Sequence, residues 1–186
     1  MSINDERVRF YLRNRERIEE WAALRKQATA AVDGWLTGLH PTVTELAAGL
    51  RAQPNPRLDP DNEWPTFQLV RPSWPLHVSG EPIACVALQW HRGYVTLGSG
   101  EPPYVGVYCR SAEALGAQLR ASEAVKTARQ ALNHKMTTLW LAIGYVLPGP
   151  EVPESFDAYR DSLMTELARA WRTYAPLIDA AIAPPA

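Results

Sequence analysis

The chain is poor in the residues that make chemistry easy to read. Its 186 residues include two cysteines, Cys85 and Cys109, in separate apolar runs, so neither a disulfide framework nor a zinc spacing is available. Both thiols are expected to be free and buried. Lysine is nearly as scarce, and Lys26, Lys126 and Lys135 all fall on segments that read as helices. This disfavours a nuclease built on an acid-x-Lys strand pair. No window approaches the roughly 18 uninterrupted apolar residues of a membrane span. The opening "MSINDERVRFYLRNRER" carries charge where a signal peptide would be apolar, so the expectation is a cytoplasmic protein with no membrane partner. The net charge of −1 gives no whole-molecule attraction to polyanions. The turn "TLGSGEPP" lacks both the lysine of a phosphate loop and the spacing of a nucleophile elbow, which leaves Ser99 a poor nucleophile.

What is present describes one ordinary domain over 1–186, with 46% hydrophobic and 21% charged residues. A helical part covers 1–52, a proline-rich acidic loop 53–65, a sheet with an inserted helix 66–147, and a C-terminal helix 153–182. From Asp5 to Leu39 the apolar residues Val8, Tyr11, Ile18, Trp21, Ala28, Val32 and Trp35 follow a three-and-four spacing, and His40-Pro41 should end that helix. A second helix starts at Thr42, whose hydroxyl stands in capping-box spacing to Glu45. The loop "QPNPRLDPDNEWP" cannot be a helix or a central strand. Four β-like runs follow, "TFQLVRPSW", "IACVALQWH", "GYVTLGS" and "PYVGVYCR", the middle two forming a hairpin around Arg92 and Gly93. A helix capped by Ser111 and interrupted at Gly116 leads to a fifth strand, "TTLWLAIGYVL". The last helix carries Phe156, Tyr159, Leu163, Leu167, Ala170, Tyr174 and Leu177, with a kink due at Pro176. The sum is α+β: a mainly antiparallel sheet of about five strands packed against the two terminal helices and one middle helix, with one parallel pair possible across Tyr104–Leu147.

Four groups of residues are candidates for function. "RQALNH" places Arg129 five positions ahead of His134, a spacing that resembles ribonucleases of the HEPN class. The resemblance implies that His134 takes a hydroxyl proton while Arg129 steadies phosphate charge. That class is a helical bundle, however, and the plain alternative is a solvated helix face. In "LDPDNEW", Asp59, Asp61 and Glu63 alternate and could aim three carboxylates at a divalent cation, with His77, His91 and Arg92 completing a phosphodiesterase site. No other cofactor is expected. Arg9, Arg13 and Arg17 stack at intervals of four and could grip nucleic acid, yet residues 5 to 20 hold five arginines against five acids, so Arg13 with Glu16 and Arg17 with Glu20 would neutralise one another. Finally, aromatic residues crowd the sheet region. Alternation puts Trp90 on the face opposite Cys85 and Gln89, and puts Tyr104 and Tyr108 together. One aromatic face must be core and the other can be a recognition surface, with Trp90, Tyr104 and Tyr108 as its candidates. The reading with fewest assumptions is a small accessory or regulatory protein acting by association with a protein partner or with itself, ahead of a nuclease or a nucleic-acid binder.

Overall fold

A computed structural model describes residues 5–93, 102–147 and 156–183. Helix α1 spans Glu6–Thr37, capped by the Asp5 carboxylate on the Arg7 amide. Helix α2, His40–Gly49, begins earlier than its sequence suggests. Pro41 sits in its first turn, where the missing N–H costs nothing, and no side chain caps it, so Thr42 does not act as the cap.

Five strands form one sheet in the order β1-β2-β3-β4-β5, every ladder antiparallel. They are β1 (Gln53–Arg57), β2 (Thr66–Val70), β3 (Ala84–Gln89), β4 (Tyr104–Cys109) and β5 (Trp140–Tyr145). The strand-helix-strand step therefore returns antiparallel, and the parallel pair does not form. Strand β1 lies inside the segment expected to be loop. It tolerates Pro54 and Pro56 because they stand two residues apart on an edge strand, so both lack an N–H on the free side, while Gln53, Asn55 and Arg57 face β2. Of the run 93–99, residues 94–99 lie outside the described residues.

The inserted helix is two helices, α3 (Ala114–Ala121) and α4 (Glu123–Ala131), divided at Ser122, whose hydroxyl accepts from the Val125 amide. Ser111 caps neither. Gly116 is no interruption but a close approach: a Cβ there would run into the Arg110 carbonyl.

Helix α5, Phe156–Ile182, continues through Pro176 and buries nine residues, among them Leu163, Leu167, Trp171 and Tyr174. It lies across β3 and β4, while α2 lies on β1 and β2, so the helices share one face of the sheet. Phe67, Leu69, Val86, Leu88, Trp90, Val105 and Val107 supply the strand side of that core. Helix α1 departs from expectation. Leu36 is its one buried residue, Val32 and Trp35 pack at the edge of the core, and Phe10, Leu12, Trp21 and Leu24 stand in solvent. The charges that interrupt its apolar spacing leave no continuous stripe to lay on the sheet. No helix among the described residues is long and apolar enough to cross a membrane.

Candidate binding face of the sheet

The face opposite the helices is built by strand alternation. Thr66 and Gln68 of β2, Cys85, Ala87 and Gln89 of β3, and Tyr104, Gly106 and Tyr108 of β4 share it. Strand β5 contributes one side chain more than alternation allows. A register shift beside Val107 and Tyr108 sets Tyr108 opposite Trp140, while Gly106 faces Ile143 and Tyr104 faces Tyr145. The extra residue, Leu141, switches parity, so Trp140 joins Ile143 and Tyr145 on this face, an effect typical of bulges.

The aromatic side chains interlock edge to face. Tyr104 meets Trp140 at 5.1 Å and Tyr145 at 5.9 Å, and Tyr108 meets Trp140 at 5.8 Å. Amides fill the middle. Gln89 donates to the Thr66 hydroxyl at 2.7 Å and accepts from the Tyr104 hydroxyl, and Asn55 donates to the Gln68 carbonyl oxygen at 2.8 Å. The Gln68 amide nitrogen and the Tyr108 hydroxyl make no hydrogen bond among the described residues. Two adjoining hollows of about 250 and 470 Å³ share Trp64, Gln89, Tyr108 and Trp140 and form one groove across the strands. The Arg57–Glu81 ion pair closes its β1 end. At the β5 end Leu139 and Tyr145 are 64% and 39% exposed.

Cys85 lies in the floor and is wholly buried, which pushes its thiol far above the ordinary range. Cys109 is buried on the other face and raised to about 11. Both are therefore unreactive thiols near neutrality.

The other expected sites disperse or change meaning. Trp90 is removed as an interaction residue. It is 0% exposed on the helix-covered face, packed on Phe67, with its indole N–H donated to Asp33 at 2.7 Å. Asp59, Asp61 and Glu63 are exposed, and no group of three or more His, Cys, Asp or Glu side chains that could hold a metal forms among the described residues. The loop does hold a cation, the guanidinium of Arg92, which donates to the carbonyls of Leu58, Asp59 and Asn62 and pairs with Asp33. His77 lies in the turn before β3 and His91 just beyond its end, so the length of the strand stands between them. His77 is bound to Ser79 and lies 3.7 Å from Glu113, whereas His91 is edge-on to Trp64. Arg9, Arg13 and Arg17 stay on the projecting part of α1. The pairs Arg13–Glu16 and Arg17–Glu20 do not form among the described residues; Arg7 pairs with Asp5, and Arg17 lies over the Trp21 ring at 5.1 Å. His134 and Arg129 are brought near one another around Tyr174, whose hydroxyl is 3.2 Å from His134 Nδ1 and feels the Arg129 charge.

Two features escaped the sequence. Thr66-x-Gln68 and Gln89 are polar residues spaced by two in apolar runs, a signal of a second, polar face. Asp33 and Asp179 left no signal at all, because their partners Trp90 and Trp74 lie 57 and 105 residues away. Comparison with family models, curated proteins and solved structures finds no match to this chain.

Proposed function

We propose that this protein works by association, holding an extended segment of a partner protein in the groove on the helix-free face of the sheet. The observation that carries this reading is the groove, where interlocked aromatic rings and side-chain amides replace the helices that cover the other face. Crossing five strands means four spacings of about 4.8 Å, a span filled by roughly six residues of extended chain. The Gln68 amide and Tyr108 hydroxyl suit backbone carbonyls as acceptors, and the rings beside Leu139 and Tyr145 suit an apolar side chain. The Arg57–Glu81 pair at the rim is satisfied internally, while Arg110 in the same wall has no ion pair among the described residues and a buried Nε without a partner. The fitting segment is therefore largely apolar, with one acceptor or acidic group at the Arg110 end.

The reading is tested by selecting binders from a random peptide library and measuring them against wild type and Tyr108→Ala. Tyr108 is half-buried on the groove wall, so its truncation spares the core. The expected result is peptides rich in apolar residues whose affinity falls about tenfold in the variant, the loss of one central anchor. Peptides that bind both proteins alike overturn it, as does a library that yields none.

A further inference from the structure

A separate cavity of about 430 Å³ opens where the segment after α4, the edge of β5 and helix α5 meet. Its wall contains His134, Lys135, Ser162, Glu166 and Arg169. The His134 ring stacks on Tyr174 at 5.9 Å and lies flat on Gly144, where a Cβ would come within 2.6 Å of its Nε2. Only glycine at 144 admits the ring in that position. The five-residue spacing from Arg129 has a plain structural cause, since the His134 amide closes the end of α4 on the Arg129 carbonyl at 2.9 Å.

We propose that this cavity binds the phosphate group of a small phosphomonoester. Its wall carries two cations, Lys135 and Arg169, against one carboxylate, Glu166, for a net charge of two minus one, or +1. Arg129 adds a second positive charge beside Tyr174. Glu166 takes one guanidinium nitrogen of Arg169 at 2.6 Å and leaves the other nitrogens without a bond among the described residues. Lys135 has no ion pair among them. A tetrahedral dianion needs donors from several directions, and the wall offers a guanidinium, an ammonium and a ring N–H, the Ser162 hydroxyl being already donated to the Ala158 carbonyl at 2.9 Å.

The ring N–H follows from the packing. Burial first, and the Arg169 charge second, draw the His134 pKa down to about 4, so the ring is neutral near pH 7. The Tyr174 hydroxyl, pushed up to about 12 by burial, keeps its proton and lies 3.2 Å from Nδ1. With Tyr174 as the donor in that contact, the imidazole proton resides on Nε2, which lies against Gly144 in the cavity wall. A dianion placed there favours the imidazolium, so ligand binding must raise the His134 pKa. Glu166 already acts in that direction and Arg169 against it. Lys135, Arg129 and Tyr174 are the other titratable groups around the ring.

The test uses the full chain with inorganic phosphate, glycerol phosphate and an RNA oligonucleotide lacking terminal phosphate as probes, followed by NMR of the His134 ring and the Gly144 amide. The expected result is a saturable shift with glycerol phosphate, weaker with inorganic phosphate, together with a rise of the His134 pKa above about 4. Lys135→Gln and Arg169→Gln should each weaken binding about tenfold, the loss of a hydrogen bond to a charged group. Arg172→Gln, on α5 but outside the cavity wall, should leave it unchanged. Shifts that chloride reproduces at equal ionic strength, an unmoved His134 pKa, or equal loss with Arg172→Gln overturn the proposal. Tighter binding of the RNA overturns the assignment to a monoester.

Discussion

The two terminal helices begin from similar sequence patterns and reach opposite outcomes. Both carry apolar residues at three-and-four spacing, and each is fastened to the sheet region by an aspartate that accepts a tryptophan indole N–H and an arginine. In α1, Asp33 takes Trp90 and Arg92; in α5, Asp179 takes Trp74 and Arg71. Yet α5 buries nine residues and α1 buries one. The difference lies between the apolar positions. Tyr159, Leu163, Leu167, Ala170, Tyr174 and Ile178 advance by three or four without a charge among them, so they draw one line toward β3 and β4. In α1 the same line is broken at Asn14 and Arg15 and again at Arg25, which occupy positions on it, and Phe10, Leu12 and Leu24 point elsewhere. Spacing alone does not make a buried face; an unbroken stripe does.

The largest effect that can test this contrast is in the core. Leu167→Ala removes a fully buried side chain under the sheet and should cost about 2 to 5 kcal/mol. Leu24→Ala, at a position 54% exposed, should stay within about 0.5 kcal/mol. Urea unfolding of the two variants measures both values. Similar losses would mean that α1 is packed after all, and the contrast would collapse.

This contrast also shows what the sequence could and could not supply. The class of fold was legible because strand runs of β-branched and aromatic residues, punctuated by Gly and Pro, lie between two long helical segments. The pairing of Tyr104 with Tyr108 followed from period-two geometry, whereas their separation from Trp90, grouped with them in the sequence, depends on the β3–β4 register. Three other things were not legible. Pro54 and Pro56 argued for a loop, although an edge strand accepts prolines on alternate residues. The bulge that brings Trp140 to the groove depends on ladder register, which no local window contains. The two Asp–Trp–Arg clamps join residues that only the finished fold brings together. The acidic loop misled for a related reason: its carboxylates drew attention, while its carbonyls do the holding, around Arg92.

A smaller effect separates the two clamps. Asp33→Ala leaves the indole N–H of the fully buried Trp90 without an acceptor and takes one partner from Arg92, which keeps three carbonyls. The expected cost is about 1 to 3 kcal/mol. Asp179→Ala should cost less, about 1 kcal/mol, because the Asp179 side chain is 37% exposed against 19% for Asp33, so water can replace part of what is lost. Near-UV circular dichroism should register the Asp33 change through Trp90. If Asp179→Ala is the more damaging, the junction of α1 with the body is not where that helix is fixed.

The smallest effect is expected from removing residues 1–25. The cut spares Val32, Trp35 and Leu36, which reach the core, and the Asp33 clamp. It removes Phe10, Leu12, Trp21 and Leu24, all exposed, along with local contacts such as Asp5 on the Arg7 amide and Arg17 over Trp21. A helix held mainly by such contacts is marginal in water, so its loss should take little from the stability of the remainder. The Tm should change by less than about 2 °C, under 1 kcal/mol for a chain of this size. A larger drop at every protein concentration would mean that the projecting turns pack on the body, and a drop that grows with concentration would mean that a second copy packs on them. Either result ends the description of α1 as a helix fixed at one end and free along the rest.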